Sequence, residues 1–330
     1  MRYCDFPGSC VPEGERVASP LSGPISRRVG QTGMAVYPIA LDGSVFGWAT
    51  DAKETADVLD LFYAAGGDLI STAAHYAGGR SEIMIGSWLA RHPNRDRLVI
   101  ATKVGKHPDA LGLSAKSIRR GVDASLERLR LDRIDLLGLD GEDPATPIEE
   151  SLTAATELIA AGKVGHISAT GFGPEALREA VKTARRLEIP GIVVILPEYN
   201  LLERREYERD LAPIAVAADL GVLARTPLAN GYLRGDFRSR HDKPASPIFQ
   251  GALKYVNRRG AAVLGVLDEI AGEVGQHVGR VALAWLLTRP GVAAPVVRVP
   301  SARALADLLP GASLELTPDQ IDRLDRATDS

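Results

Sequence analysis

The sequence predicts an α/β barrel of eight strand–helix units, and three observations predict it. Short apolar runs alternate with helical patterns eight times in order. The runs are near-continuous Val/Ile/Leu, as expected of parallel strands covered on both faces. The chain has 330 residues, a length that such barrels often span as one domain.

The units follow one another along the sequence. VYPIAL (36–41) precedes a helical pattern over 52–65, and DLIST (68–72) precedes one over 80–91. LVIATK (98–103) precedes 115–129, IDLLGL (134–139) precedes 148–161, and VGHISAT (164–170) precedes 174–186. IVVIL (192–196) leads to a helix near 205–219. GVLAR (221–225) leads through a long segment to a helix over 258–288, broken near Gly275. APVVR (294–298) precedes a short helix at 302–308, and a last helix over 317–327 closes the chain. Residues 1–26, rich in Pro, Gly and Ser, read as a loosely packed extension ahead of one barrel domain over 27–330. The segment 229–257 is too long for an ordinary connection and is expected over the site.

Composition narrows the function classes. A net charge of −3 with no clustered basic face argues against nucleic acid, and charge runs such as RLRLD read as solvated helix faces. The two cysteines, Cys4 and Cys10, lie in the N-terminal tail and define neither a disulfide framework nor a thiolate metal site, which fits a reducing cytoplasm. There is no signal-type apolar segment, and no stretch is long and apolar enough to span a membrane. The expected partner is a small molecule.

In a barrel of this kind chemistry gathers where strands end, on the C-terminal face. Strand 2 leads to Tyr76, strand 3 ends in Lys103, strand 4 in Asp140, strand 5 in Thr170-Gly171, strand 7 in Arg225-Thr226 and strand 8 in Arg298. A tyrosine with a nearby ammonium makes a workable proton donor, because the cation favours the phenolate. Read alone, the pair is equally consistent with a loop-capping tyrosine and a solvated lysine. Motifs for zinc peptidases, nucleophile elbows and phosphate-binding loops do not occur. DGEDP (140–144) reads as a turn, so no metal site is expected. His75 adjoins Tyr76 but is expected to face elsewhere, His107 could overhang the pocket, and His166 reads as a packed strand residue.

Over residues 27–327 the chain resembles the aldo-keto reductase family. RRVGQTGMAVYPIAL, GGDLISTAAHYAGGRSEIMIG, ATKVG, SLERLRLDRIDLL, AAGKVGHI, PEYNLLER, TPLANGYLRG and VALAWLLTRPGVAAPV occur in that family's order and spacing. The resemblance implies a (β/α)8 TIM barrel and an NADPH-dependent carbonyl reductase with a catalytic Asp, Tyr, Lys and His. Tyr76 and Lys103 match, whereas the aspartate falls on Ser71 and the histidine on Asp140. In the family's steroid 5β-reductase branch the histidine position is also acidic, which brings enone reduction into consideration beside aldehyde reduction.

The residues implied to hold the nicotinamide are Thr170, Gly171, Leu196 and, in place of a stacking aromatic, Arg225; a glycine that leaves room for the cofactor falls on Asp42. The loop Thr226, Pro227, Leu228, Ala229, Asn230, Gly231 is implied to meet the pyrophosphate, and Arg298, Ser301 and Arg303 the 2′-phosphate. Only Thr170 keeps a hydroxyl among the nicotinamide positions, so the alternative is a barrel without hydride transfer: a cofactor-free proton-transfer enzyme or a non-catalytic binding protein. Two contacts are expected from charge. Asp140 should lie within direct or one-water reach of Lys103 or Tyr76, and Asp42 and Arg225 should pair across the mouth, since lone buried charges are expensive.

Overall fold

The computed structural model describes residues 25–92, 95–242 and 247–328; Cys4, Cys10 and most of the N-terminal extension lie outside them. Eight parallel strands close a barrel: β1 (Ala40–Asp42), β2 (Leu69–Ser71), β3 (Val99–Val104), β4 (Ile134–Asp140), β5 (Val164–Thr170), β6 (Ile192–Leu196), β7 (Gly221–Arg225) and β8 (Val292–Val297). Closure runs through β8 and β1, where Val296 lies beside Ala40, and onward to β2, where Asp42 lies beside Ser71. The first strand starts four residues later than VYPIAL predicts. Pro38 has no N–H to give a central strand, and Val36 instead pairs with Arg27 in a hairpin of Arg27–Arg28 and Ala35–Val36.

That hairpin covers the N-terminal end of the barrel. Val29 and Val36 are fully buried within the cluster of strand residues that includes Leu69, Leu136, Val194 and Leu223. Gly30, at φ +48°, lies so close to the start of β7 that a Cβ on it would come within 2.3 Å of Gly221 N. The Arg27 Nε donates to Val292 O at 3.2 Å, and Asp68 Oδ1 accepts from Tyr37 N at 2.8 Å.

The main helices are α1 (Ala52–Ala64), α2 (Arg80–Leu89), α3 (Ala115–Leu129), α4 (Ile148–Ala160), α5 (Pro174–Leu187), α6 (Ala212–Ala217), α7 (Arg258–Val274), α8 (Val278–Leu287), α9 (Ala302–Ala306) and α10 (Pro318–Thr328). They pack their apolar stripes on the outside of the barrel. Side-chain oxygens of Asp51, Ser114 and Asn257 accept from first-turn N–H groups and fix where α1, α3 and α7 begin. Gly275, at φ +63°, ends α7 in the left-handed cap that separates it from α8. The helix expected near 205–219 is instead a π-turn, Tyr207–Leu211, running into the short α6. Among the described residues no helix is long and apolar enough to cross a membrane.

Candidate active site at the barrel mouth

Lys103 lies on β3 opposite Gly138 of β4, and the pairing explains how an ammonium fits inside the wall. A Cβ at Gly138 would stand 2.5 Å from Lys103 Cγ, so the glycine provides the space through which the lysine side chain passes. Lys103 is 3% exposed. Its Nζ donates to Thr72 O at 2.6 Å and Ser71 Oγ at 3.2 Å. Ser71 therefore still meets the lysine where the resemblance implies an aspartate, but as a neutral acceptor. Burial pushes the Lys103 ammonium below its ordinary pKa, against the opposing pull of Asp42, Asp140 and Glu82.

Glu82, on α2, is fully buried. Its Oε1 accepts from Thr102 Oγ1 and its Oε2 from Arg128 Nε, each at 2.6 Å. No motif in the sequence singles out this residue. Its signal was an acid on the same helical face as Ile85 and Leu89, where only an apolar side chain or a paired charge is stable.

Tyr76 opens a tight turn, Tyr76–Gly79, in which Ala77, Gly78 and Gly79 all take positive φ. Lys103 Nζ stands 5.0 Å from the centroid of the Tyr76 ring, over its face. The expectation that this ammonium lowers the phenol's pKa is overturned. Burial raises it well above the ordinary value, Asp42 and Asp140 add to the rise, and Arg225 and Arg298 oppose it.

Asp140 ends β4 and is 6% exposed. Of the direct or one-water reach expected to Lys103 or Tyr76, the direct hydrogen bond is not formed among the described residues. Asp140 Oδ1 accepts from Lys106 Nζ at 2.7 Å, and Oδ2 lies 3.8 Å from His75 Nδ1. The reason is the short hairpin after β3, Lys106–His107 with Ala110–Leu111, which carries Lys106 back over the end of β4. The charge of Asp140 still acts on both Tyr76 and Lys103.

His75, in helical backbone just before the turn, packs beside Tyr76, contrary to the expectation that it faces elsewhere. Its ring meets Tyr76 edge-on, with centroids 4.8 Å apart. His75 Nδ1 is buried and has no hydrogen-bond partner. Burial lowers the His75 pKa, and Asp140 pulls the other way. The remaining acids of the DGEDP loop tie loops together: Glu142 Oε1 accepts from Gly173 N at 2.7 Å, and Asp143 Oδ2 from Leu113 N at 2.7 Å and Thr146 Oγ1 at 2.8 Å.

The positions implied to hold NADPH surround the rest of the mouth. A cavity of about 210 Å³ is lined by Tyr76, Asp42, Ser44, Arg225, the loop Thr226–Gly231, Phe249 and Arg298. The expected Asp42–Arg225 ion pair is absent among the described residues. Asp42 Oδ1 instead accepts from Ser44 N at 2.9 Å and caps the turn Gly43–Val45. Arg225 Nε is buried without a hydrogen-bond partner, as are Thr170 Oγ1 at the end of β5 and Ser44 Oγ after β1. Gly171 takes φ +69°, and Leu196 is buried.

In the loop Thr226–Gly231, Thr226, Ala229 and Asn230 hold left-handed φ of 52°, 48° and 56°, ahead of Gly231 at 96°. Such conformations are costly for non-glycine residues and gather at binding sites. The turn Pro247–Tyr255 lies across this loop, with Phe249 against Gly231 and Gly251 against Asn230. Arg298 Nη2 donates to Asn230 Oδ1 at 2.8 Å and Ile248 O at 3.2 Å, joining the two segments. Ser301 Oγ caps α9, the Ala302 N–H donates to Glu54 Oε1 at 2.8 Å, and Arg303 is exposed. Unpartnered polar atoms at the near end, a concave loop and an arginine at the far end suit a polar, elongated ligand, and in these features the residues fit a nicotinamide dinucleotide.

Comparison with known proteins agrees with this geometry. Residues 39–329 match the model of the aldo/keto reductase family. The chain is 31% identical to the uncharacterized oxidoreductase YrpG of Bacillus subtilis, across 87% of this chain and 91% of that protein. It is 29% identical to norsolorinic acid reductase B of Aspergillus parasiticus, across 87% of this chain and 77% of the other. It is 28% identical to a probable voltage-gated potassium channel subunit beta of Oryza sativa, across 92% and 96%. A barrel closed in this order, with a tyrosine in the turn that follows β2, a lysine on the adjacent β3 and a family match over nearly its whole length, belongs to the aldo/keto reductase family.

Proposed function

We propose that the chain is a reductase of a small carbonyl compound that uses NADPH. Members of the family generally use NAD(P)H. The observation that carries the reading is the placement of Tyr76, stacked over Lys103, on the wall of the cavity that Arg225, the loop Thr226–Gly231 and Arg298 complete. Thr170 and Arg225 would hold the nicotinamide end, Thr226–Gly231 the diphosphate, and Arg298 with Ser301 and Arg303 the adenosine end. When bound, the cofactor supplies a hydride to the carbonyl carbon.

The protein's own part is to hold and protonate the carbonyl oxygen. Tyr76 keeps its proton because its pKa is raised, and donates a hydrogen bond to that oxygen. As charge develops the oxygen becomes alkoxide-like, a far stronger base than a phenolate, and takes the proton. Lys103, fixed by Thr72 and Ser71, holds its Nζ over the face of the ring, where any positive charge it carries would stabilise the phenolate left behind. Asp140, held by Lys106, adds a carboxylate that disfavours anionic groups on its side of the mouth and leaves Arg225 as the side that accepts them.

Fluorescence titration with NADPH, followed by NADPH oxidation with a panel of aldehydes and α,β-unsaturated ketones, tests the reading. Saturable quenching and turnover of one class are expected. Absence of NADPH binding at millimolar concentration would refute it.

A further inference from the structure

Lys103 is a buried cation held by neutral groups. Its Nζ donates to Thr72 O and Ser71 Oγ, neither of which carries charge. An ammonium taken out of water without a counter-charge is costly and tends to lose its proton. Three carboxylates pull on it from around the wall: Asp42 from β1, Asp140 from β4 and Glu82 from α2. Two of them already have a cation of their own. Asp140 Oδ1 lies 2.7 Å from Lys106 Nζ, and Glu82 Oε2 lies 2.6 Å from Arg128 Nε. Asp42 has no ion pair among the described residues; its Oδ1 accepts from the neutral Ser44 N–H.

The sheet register puts Asp42 beside one of the lysine's two acceptors. Asp42 of β1 is the partner of Ser71 of β2. Residues level with each other on neighbouring parallel strands share a face, and the strands lie about 4.8 Å apart. Ser71 meets Lys103 inside the barrel, so Asp42 faces the same interior, and it lines the cavity together with Tyr76. The carboxylate makes no direct contact with Nζ, but in a buried site a charge acts across a gap of one side chain. Among the carboxylates Asp42 pulls most strongly on both Lys103 and Tyr76.

We propose that Asp42 is the counter-charge of Lys103, a positioning residue one strand removed that keeps the ammonium charged over the Tyr76 ring. The use made of that charge, stabilising the phenolate, rests on the reductase reading; the counter-charge itself is testable without cofactor. The other groups facing Lys103 are Tyr76 and His75 from the segment after β2, and Arg225 from β7. Arg225 lowers the lysine's pKa, so it and Asp42 act with opposite signs. Removing the Asp42 charge must therefore move the Lys103 midpoint down.

The test is NMR titration of Lys103 Nζ in nucleotide-free protein carrying isotope-labelled lysine, with the signal assigned by its loss in Lys103→Met. Asp42→Asn suits it because an amide oxygen can still accept from the Ser44 N–H and hold the turn. This variant should lower the Lys103 midpoint by about one unit or more. Asp140→Asn with Lys106→Met removes a neutral pair and should leave the midpoint close to the wild-type value. With NADPH and a reducible aldehyde, the alkaline limb of turnover should move down with the lysine in Asp42→Asn. Ser71→Asp in that background should bring both back up, which a merely structural role for Asp42 would not allow. An unmoved midpoint in folded Asp42→Asn, an equal fall on removing the Asp140–Lys106 pair, or an alkaline limb that does not follow the lysine overturns the proposal. Absence of NADPH binding would refute the reductase reading, and the lysine titration would still decide this one.

Discussion

The two halves of the barrel mouth are built on opposite principles. On the side of β2, β3 and β4, Lys103, Ser71, Thr72, Thr102, Glu82, Arg128, Asp140 and Lys106 are joined by hydrogen bonds and ion pairs, with the buried Nδ1 of His75 an exception. On the side of β5 and β7, Thr170 Oγ1 and Arg225 Nε are buried with no partner. A satisfied network is rigid and supports chemistry by holding its groups in place. Unsatisfied buried groups cost stability and are retained where something external completes them. The difference separates a half that acts from a half that receives.

Substitutions that touch each half in turn can break or sharpen that contrast. The largest effect is expected at the seam, where Tyr76 faces both. Tyr76→Phe removes the proton donor and should lower reductase turnover about 10²–10⁴-fold while NADPH titration remains saturable. Single-turnover kinetics beside fluorescence binding will show the split. Next comes Glu82→Ala, which leaves the partly buried Arg128 and Thr102 without their acceptor. A loss of about 3 kcal/mol in urea unfolding is expected. Arg225→Leu should do the reverse for stability. It removes an unpaired cation and should leave unfolding unchanged or raise stability by about 1 kcal/mol, while weakening NADPH binding about tenfold. A large loss of stability in Arg225→Leu would erase the distinction between the halves. The smallest effect belongs to Lys106→Met. The lysine is half exposed, so its pair with Asp140 should contribute less than about 1 kcal/mol, measurable by a double-mutant cycle with Asp140→Asn.

What the sequence makes legible follows the range of the interactions concerned. β5, β6 and β7 have the limits expected from their apolar runs, because a buried parallel strand is specified by its own residues. The start of β1 is not so specified, since Pro38 transfers the preceding residues to a hairpin partner nine residues away in sequence. The nearness of Tyr76 and Lys103 is legible because one follows β2 and the other lies on the adjacent β3, but the lysine's place under the ring depends on a gap at Gly138 of a third strand. The hydrogen-bond partners of Asp140 and Asp42 are set by a hairpin and a turn, which charge balance alone does not locate. His75 illustrates the same limit. Adjacent residues diverge in a strand, but His75 takes helical φ and ψ of −85° and −10°, and the two rings meet.

The hairpin at the N-terminal end gives the molecule the character of a vessel with a stopper. Val29 and Val36 close the floor with apolar side chains. Above it Lys103 is 3% exposed, and its Nζ stands 5.0 Å from the centre of the Tyr76 ring, which lines the cavity. A ligand seated against Tyr76 would close the vessel from above as the hairpin closes it from below.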